Sequence, residues 1–286
     1  MVARRVAVTG AAGQLGRQLV TGFTAVGDEV LALMRPQFDI TRASDLDGLV
    51  AWRPDVVVNS AAWTDVDGCA RDPARAMQIN AEAAGAVAAA ASRAGAAIVQ
   101  ISTNEVFDGS LDRPYSEDDA PQPINPYGVS KLAGERLVAE ANPRHVVVRT
   151  AWLFGPGGRN FVTKIMAAAK TAAERGEPLR VVSDEWGNPT DTPWLASAIV
   201  TLLALRPADV DGLTLHLAGE PPASRFTWAQ AILGAGSVMT PVALSDFRRD
   251  TVVPPRAVLD TSRARGLGIP PGEWHEAARQ VAASLN

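Results

Sequence analysis

Short apolar runs punctuate the first half of the chain, and stretches of helical spacing separate them. Strands are predicted over 6–9, 29–33, 55–59, 97–102 and 145–149. Helical periodicity covers 14–26, 43–52, 73–93 and 127–141. Near-continuous apolar strands alternating with helices predict an α/β chain whose parallel sheet is covered on both faces. The run 81–97 is rich in alanine, yet Glu82, Ser92 and Arg93 exclude a membrane span, and Asn80 is a candidate cap for it. After Gly155 the pattern changes to short elements broken by Pro and Gly. We therefore expect a first domain over 1–152, with a segment near 190–206 returning to it. A smaller α/β substrate-binding region would occupy most of 153–286. No internal repeat is evident.

Composition narrows the function classes. At 286 residues, 47% hydrophobic and 20% charged, the chain reads as globular and long enough for a sizeable core. A net charge of −4 with scattered basic residues argues against nucleic acid as a partner. Cys69 is the only cysteine, so no intrachain disulfide can form, and a reducing, cytoplasmic setting is expected. His145, His216 and His275 show no metal-ligand spacing, and no metal site is expected. Arg4-Arg5 before Val6-Ala7-Val8 resembles a signal-peptide start, but Gly10, Gly13, Gln14 and Gly16 break the apolar segment. No apolar run reaches membrane length, so no membrane partner is expected.

Two patterns carry chemistry. The first is Gly10-Ala11-Ala12-Gly13-Gln14-Leu15-Gly16, which follows the first predicted strand and opens the first helix. Small residues there let backbone N–H groups approach a pyrophosphate at a helix N-terminus, a Rossmann-type, doubly wound arrangement. The spacing is G-x-x-G-x-x-G rather than G-x-G-x-x-G. Arg35 after the second strand, where an acidic residue would favour NAD, points to the 2′-phosphate of NADPH. A surface arginine in the turn before Pro36 is the plainer reading, and NADH is the alternative cofactor. Asp39 and Ile40 lie in a position suited to the adenine edge.

The second is Tyr127 and Lys131, four residues apart in a predicted helix and so on one face of it. A free phenol titrates near ~10, and a cation held beside it would lower that value. The pair suits proton donation to a carbonyl under reduction. By itself it is equally compatible with an ordinary surface helix.

Together with Val56-Val57-Val58-Asn59-Ser60-Ala61-Ala62-Trp63-Thr64-Asp65, Ser102-Thr103, Val106-Phe107-Asp108-Gly109, Arg149-Thr150-Ala151-Trp152 and Trp186-Gly187-Asn188-Pro189-Thr190, these motifs resemble the extended short-chain dehydrogenase/reductases. More narrowly, nearly the whole chain resembles the dTDP-4-dehydrorhamnose reductases. The resemblance implies that Tyr127 donates the proton, Lys131 holds the nicotinamide ribose and Thr103 bonds the substrate carbonyl. It implies that Ala61, Ala62, Trp63 and Thr64 line the cofactor. It also implies that Thr103 and Asn104 touch a dTDP-sugar and that Trp152 packs on it; for Trp152 a plain core aromatic is the alternative. Some relatives are homodimers with a divalent metal at the contact, and this sequence offers no ligand set for one.

The chain also departs from that pattern. Asn104-Glu105 stands where the family has Asp-Tyr, Gly68-Cys69-Ala70 where an acidic residue is expected, and Val253-Pro254 where Arg-Pro is expected. These departures bear on the sugar more than on the reaction. They leave an antibiotic-pathway relative, such as a dTDP-dihydrostreptose synthase, as an alternative. A non-catalytic regulatory subunit would lose part of the Thr103, Tyr127, Lys131 set. A dehydratase would carry acidic residues after the threonine, of which Glu105 is the single hint.

Overall fold

Alternation along the strands decides the layering. Val6, Val8, Val56 and Val58 bury into one hydrophobic cluster, and Ala7, Val57 and Ile98 into another on the opposite face. In the computed structural model, which describes residues 3–234, 236–247 and 249–285, the sheet-forming strands of the first half are β1 (Arg5–Thr9), β2 (Glu29–Leu33), β3 (Val56–Asn59), β4 (Ala97–Thr103) and β5 (His145–Thr150). The intervening helices are α1 (Gln14–Ala25), α2 (Ala43–Trp52), α3 (Val66–Arg71), α4 (Pro73–Met77), α5 (Ala83–Arg93) and α6 (Pro126–Ala141). All sheet neighbours are parallel, in the order β2-β1-β3-β4-β5 followed by the strand Leu213–His216.

The parallel, doubly wound class is as expected from the sequence, with one more strand. Leu213–His216 comes from the C-terminal half and pairs with β5. Four residues between Gly212 and Leu217 carry too little periodicity to be read as a strand. The helix Thr192–Leu202 packs Leu195, Ile199 and Leu202 into the same cluster as Leu15, Leu19 and Phe23 of α1. The return to the sheet therefore extends past 206.

The predicted helix 73–93 is also different. It breaks into α4, a π-helical turn Gln78–Glu82 and α5. Asn80 makes no cap. Its side chain leaves the helix to bond the Trp63 backbone and Ser130. The second region packs the helices Phe161–Glu174, Arg225–Leu233 and Trp274–Ala283 around Phe154, Trp228 and Trp274.

The chain reverses its order across the sheet between β1 and β3, and the crevice beyond their C-terminal ends is where such sheets bind ligands. No helix of the described residues is long and apolar enough to cross a membrane.

Candidate active site

Two adjoining clefts, of about 430 and about 540 Å³, lie along that crevice and share Gly10, Gly13, Ser60 and Ala62. Gly10 is the hinge of the glycine turn. Its φ of +66° is a left-handed conformation, and a Cβ there would stand 2.8 Å from the Ala61 nitrogen. Gly13 starts α1 without a side-chain cap, and the first turn holds no acidic residue. Its free N–H groups are thus left for an anion. These features fit a dinucleotide pyrophosphate. Gln14 and Leu15 line the first cleft, and Gln14 Oε1 accepts from Asn160 of the second region at 3.0 Å.

The second cleft opens between the ends of β1 and β2. Arg35 is exposed on it, beside Met34, Asp39 and Ile40. The Asp39 carboxylate accepts from the Thr41 backbone and hydroxyl at 3.0 and 2.8 Å, and these bonds hold it below the usual carboxylate range. Ala61, Ala62 and Trp63 form the facing wall, with Arg75 stacked 4.7 Å from the Trp63 ring. Thr64 faces the first cleft.

A buried polar row links β1, β3 and β4. Thr9 Oγ1 donates to Asn59 Oδ1 at 2.5 Å, Asn59 Nδ2 to Gln100 Oε1 at 2.7 Å, and Gln100 Nε2 to the Ile101 carbonyl at 2.9 Å. Lys131 Nζ donates to that same carbonyl at 2.7 Å. Beneath it a buried Arg149–Glu135 ion pair, 2.7 Å apart, also takes the Ser102 hydroxyl and locks α6 to β4 and β5. Thr9, Asn59, Gln100 and Lys131 come from four separate elements, so no local signal marks their meeting.

Thr103 ends β4, and Tyr127 and Lys131 project from the first turns of α6 into the same cleft. Asn125 caps that helix by accepting from the Gly128 nitrogen at 2.8 Å, and Pro126 occupies its first turn. Asn followed by Pro was a readable start signal. At Gly128 any Cβ would fall 2.1 Å from the Glu105 carbonyl, so only glycine lets α6 approach the turn after β4 this closely.

One expectation is corrected. Lys131 does not lower the Tyr127 phenol in this structure. Burial raises it, with the nearby Glu105 charge adding to the rise and a Thr103 hydrogen bond opposing it. Lys131 is itself fully buried, and burial brings its ammonium down to about 8, against the pull of Glu135. Asn104 lines the cleft, but its Nδ2 is committed to the Ala257 carbonyl at 2.9 Å. Trp152 also lines the cleft while stacking on Trp228 at 5.7 Å, so the cleft-wall and core readings both apply. Its φ of +45° is strained for a bulky residue. Arg225 lies 3.5 Å over its ring. Glu105, a departure from the family pattern, also lines the cleft, as does Arg159, which no sequence motif marked. Among the described residues no three His, Cys, Asp or Glu side chains cluster as metal ligands would.

Residues 4–286 match the RmlD substrate binding domain family. The chain is 40% identical to a dTDP-4-dehydrorhamnose reductase of Streptomyces griseus, over 97% of this chain and 93% of that one. It is 36% identical to the spore coat polysaccharide biosynthesis protein SpsK of Bacillus subtilis, covering 96% of each. A solved dTDP-4-dehydrorhamnose reductase from Bacillus anthracis, in complex with NADP, superposes with a TM-score of 0.90 at 32% identity, covering 99% of this chain and 100% of that one. With the glycine turn and the Thr103, Tyr127, Lys131 set in one cleft, the chain belongs to the dTDP-4-dehydrorhamnose reductase family.

Proposed function

We propose that this protein reduces the C4 ketone of a dTDP-4-dehydro-6-deoxyhexose with NADPH, converting dTDP-4-dehydro-L-rhamnose to dTDP-L-rhamnose. The observation that carries this reading is the meeting of Thr103, Tyr127 and Lys131 in a cleft that runs to the glycine turn. NADPH, when bound, supplies the hydride. The glycine turn and the free start of α1 hold its pyrophosphate, and Arg35 meets its 2′-phosphate.

Thr103 and Tyr127 bond the ketone oxygen, and Tyr127 passes its proton to that oxygen as the C–O bond becomes single. Burial suits this role. A phenol raised above its ordinary value is fully protonated at neutral pH, so the resting side chain is a donor. Lys131, charged below about 8, is the group that holds the nicotinamide ribose of the bound cofactor. The Ile101 carbonyl and the polar row under it fix that ammonium, so little reorganisation accompanies proton transfer.

A second product is favoured by one observation: Asn104 and Glu105, both departures from the family pattern, line the sugar end of the cleft. Ring contraction to dTDP-dihydrostreptose would start from the same ketosugar. Incubating the purified protein with NADPH and dTDP-4-dehydro-L-rhamnose tests both readings. NADPH oxidation is expected, and its absence above background overturns the reductase reading. NMR of the product separates rhamnose from dihydrostreptose. A regulatory role predicts no oxidation at all, and the intact Thr103, Tyr127, Lys131 set argues against it.

A further inference from the structure

Glu105 stands in the catalytic cleft as a carboxylate that the protein satisfies on one side only. Its Oε2 accepts from Asn125 Nδ2 at 2.6 Å. Its Oε1 has no hydrogen-bond partner, and no cation lies within ion-pair distance, among the described residues; Glu105 is half-buried, and this oxygen stays open to the cleft. The charged groups around it are already engaged: Glu185 takes Arg225 at 3.1 and 2.8 Å, and Arg249 leans towards Asp67 at 3.8 Å. Tyr127 and Cys69 both feel its charge. Burial and the Glu185 charge raise the Glu105 carboxyl; the Asn125 bond, Arg249 and Arg225 oppose the rise.

Its position is also rigid. The Glu105 nitrogen donates to Thr103 Oγ1 at 3.2 Å, and its carbonyl packs against Gly128. Asn125, which holds the side chain, is itself fixed between the Gly128 nitrogen and the Val252 carbonyl.

A carboxylate is an acceptor only, so a sugar that displaces water from this open oxygen must bring a donor to replace it. Resting on the reductase reading above, the ketone carbon has two ring neighbours. C3 carries a hydroxyl, and C5 carries the methyl group of a 6-deoxy sugar. Only the hydroxyl side can satisfy Oε1, and the diphosphate must lie away from it. We infer that Glu105 is a specificity-determining residue that accepts a hydrogen bond from the C3 hydroxyl and thereby selects which edge of the ketosugar faces Tyr127.

The test compares dTDP-4-dehydro-L-rhamnose with its 3-deoxy analogue at saturating NADPH. Wild type should prefer the hydroxylated sugar by about 10- to 100-fold in kcat/KM, the range for a hydrogen bond to a charged group. Glu105→Gln, which keeps the shape and removes the charge, should lose about 10-fold on the hydroxylated sugar and under about 3-fold on the analogue. The alkaline limb of its pH profile should also move to lower pH, because the charge opposing the Tyr127 phenolate is gone. Equal losses on the two sugars, with an unmoved alkaline limb, overturn the inference while the reductase reading stands. If Glu105→Gln does not fold, the wild-type preference decides, and equal turnover of the two sugars overturns it. If wild type oxidises NADPH with neither sugar, the reductase reading falls and this inference with it.

Discussion

The two ends of the cleft are built from different materials. At the glycine turn the contact surface is backbone: Gly10 against Ala61, and the free N–H groups of α1. At the Tyr127 end it is side chain, and several of those side chains are held by partners far along the chain. Asn104 reaches Ala257, Asn125 reaches Val252, and Lys131 reaches Ile101. A backbone-built site tolerates exchange of its neighbours but not of its glycines. A side-chain-built site tolerates changes of backbone sequence but not of its few committed groups, and its properties are set by burial.

Four substitutions sharpen that contrast. The largest effect is expected from Tyr127→Phe, which removes the proton donor and should lower kcat by about 10²- to 10⁴-fold, the range for a general acid. NADPH binding, followed by fluorescence titration, should persist; retained turnover would contradict the assigned role. Next, Gly10→Val puts a branched side chain at a positive φ against the Ala61 backbone. It should cost roughly 2–4 kcal/mol of stability and most of the NADPH affinity. Unchanged melting and cofactor binding would break the claim that this end depends on backbone approach.

Third comes the pH response of the ligand-free protein. Lys131 titrates at about 8 when folded and near its ordinary value of 10.5 when unfolded. The unfolded chain therefore binds more protons between those values, and stability rises with pH across that window. The burial penalty is fully present below about 8. Urea unfolding of wild type should gain about 1–3 kcal/mol between pH 8 and 10.5 relative to Lys131→Met. Parallel curves would mean that the ammonium is better solvated than its burial implies. The smallest effect is expected from Arg35→Ala. It should reduce the preference for NADPH over NADH by about 10-fold, as for an exposed charge-assisted contact. This loss should shrink at high salt.

The same contrast explains what could be read from the amino-acid order. β2 and α2 fall where their apolar patterns put them, and the glycine turn, α1 and the Tyr127–Lys131 helix face follow from local spacing. The π-helical turn did not, because Asn80 leaves its helix for Trp63 and Ser130, partners that no periodicity announces. The strand Leu213–His216 was missed for a related reason: four residues become a strand only because β5 offers them an edge. The one-sided hydrogen bonding of Glu105 was equally hidden, since Asn125 holds one oxygen and the cleft leaves the other open.

What the sequence by itself determined is the class of the fold, the place of the glycine turn and the helix face shared by Tyr127 and Lys131. Each depends on residues within a turn or two of one another, where bond geometry fixes the relation. Only the tertiary structure decided the direction of the Tyr127 and Lys131 shifts, the commitment of Asn104 and the one-sided satisfaction of Glu105. Desolvation and hydrogen-bond supply are sums over everything packed around a group, and most of that surrounding chain comes from far along the sequence.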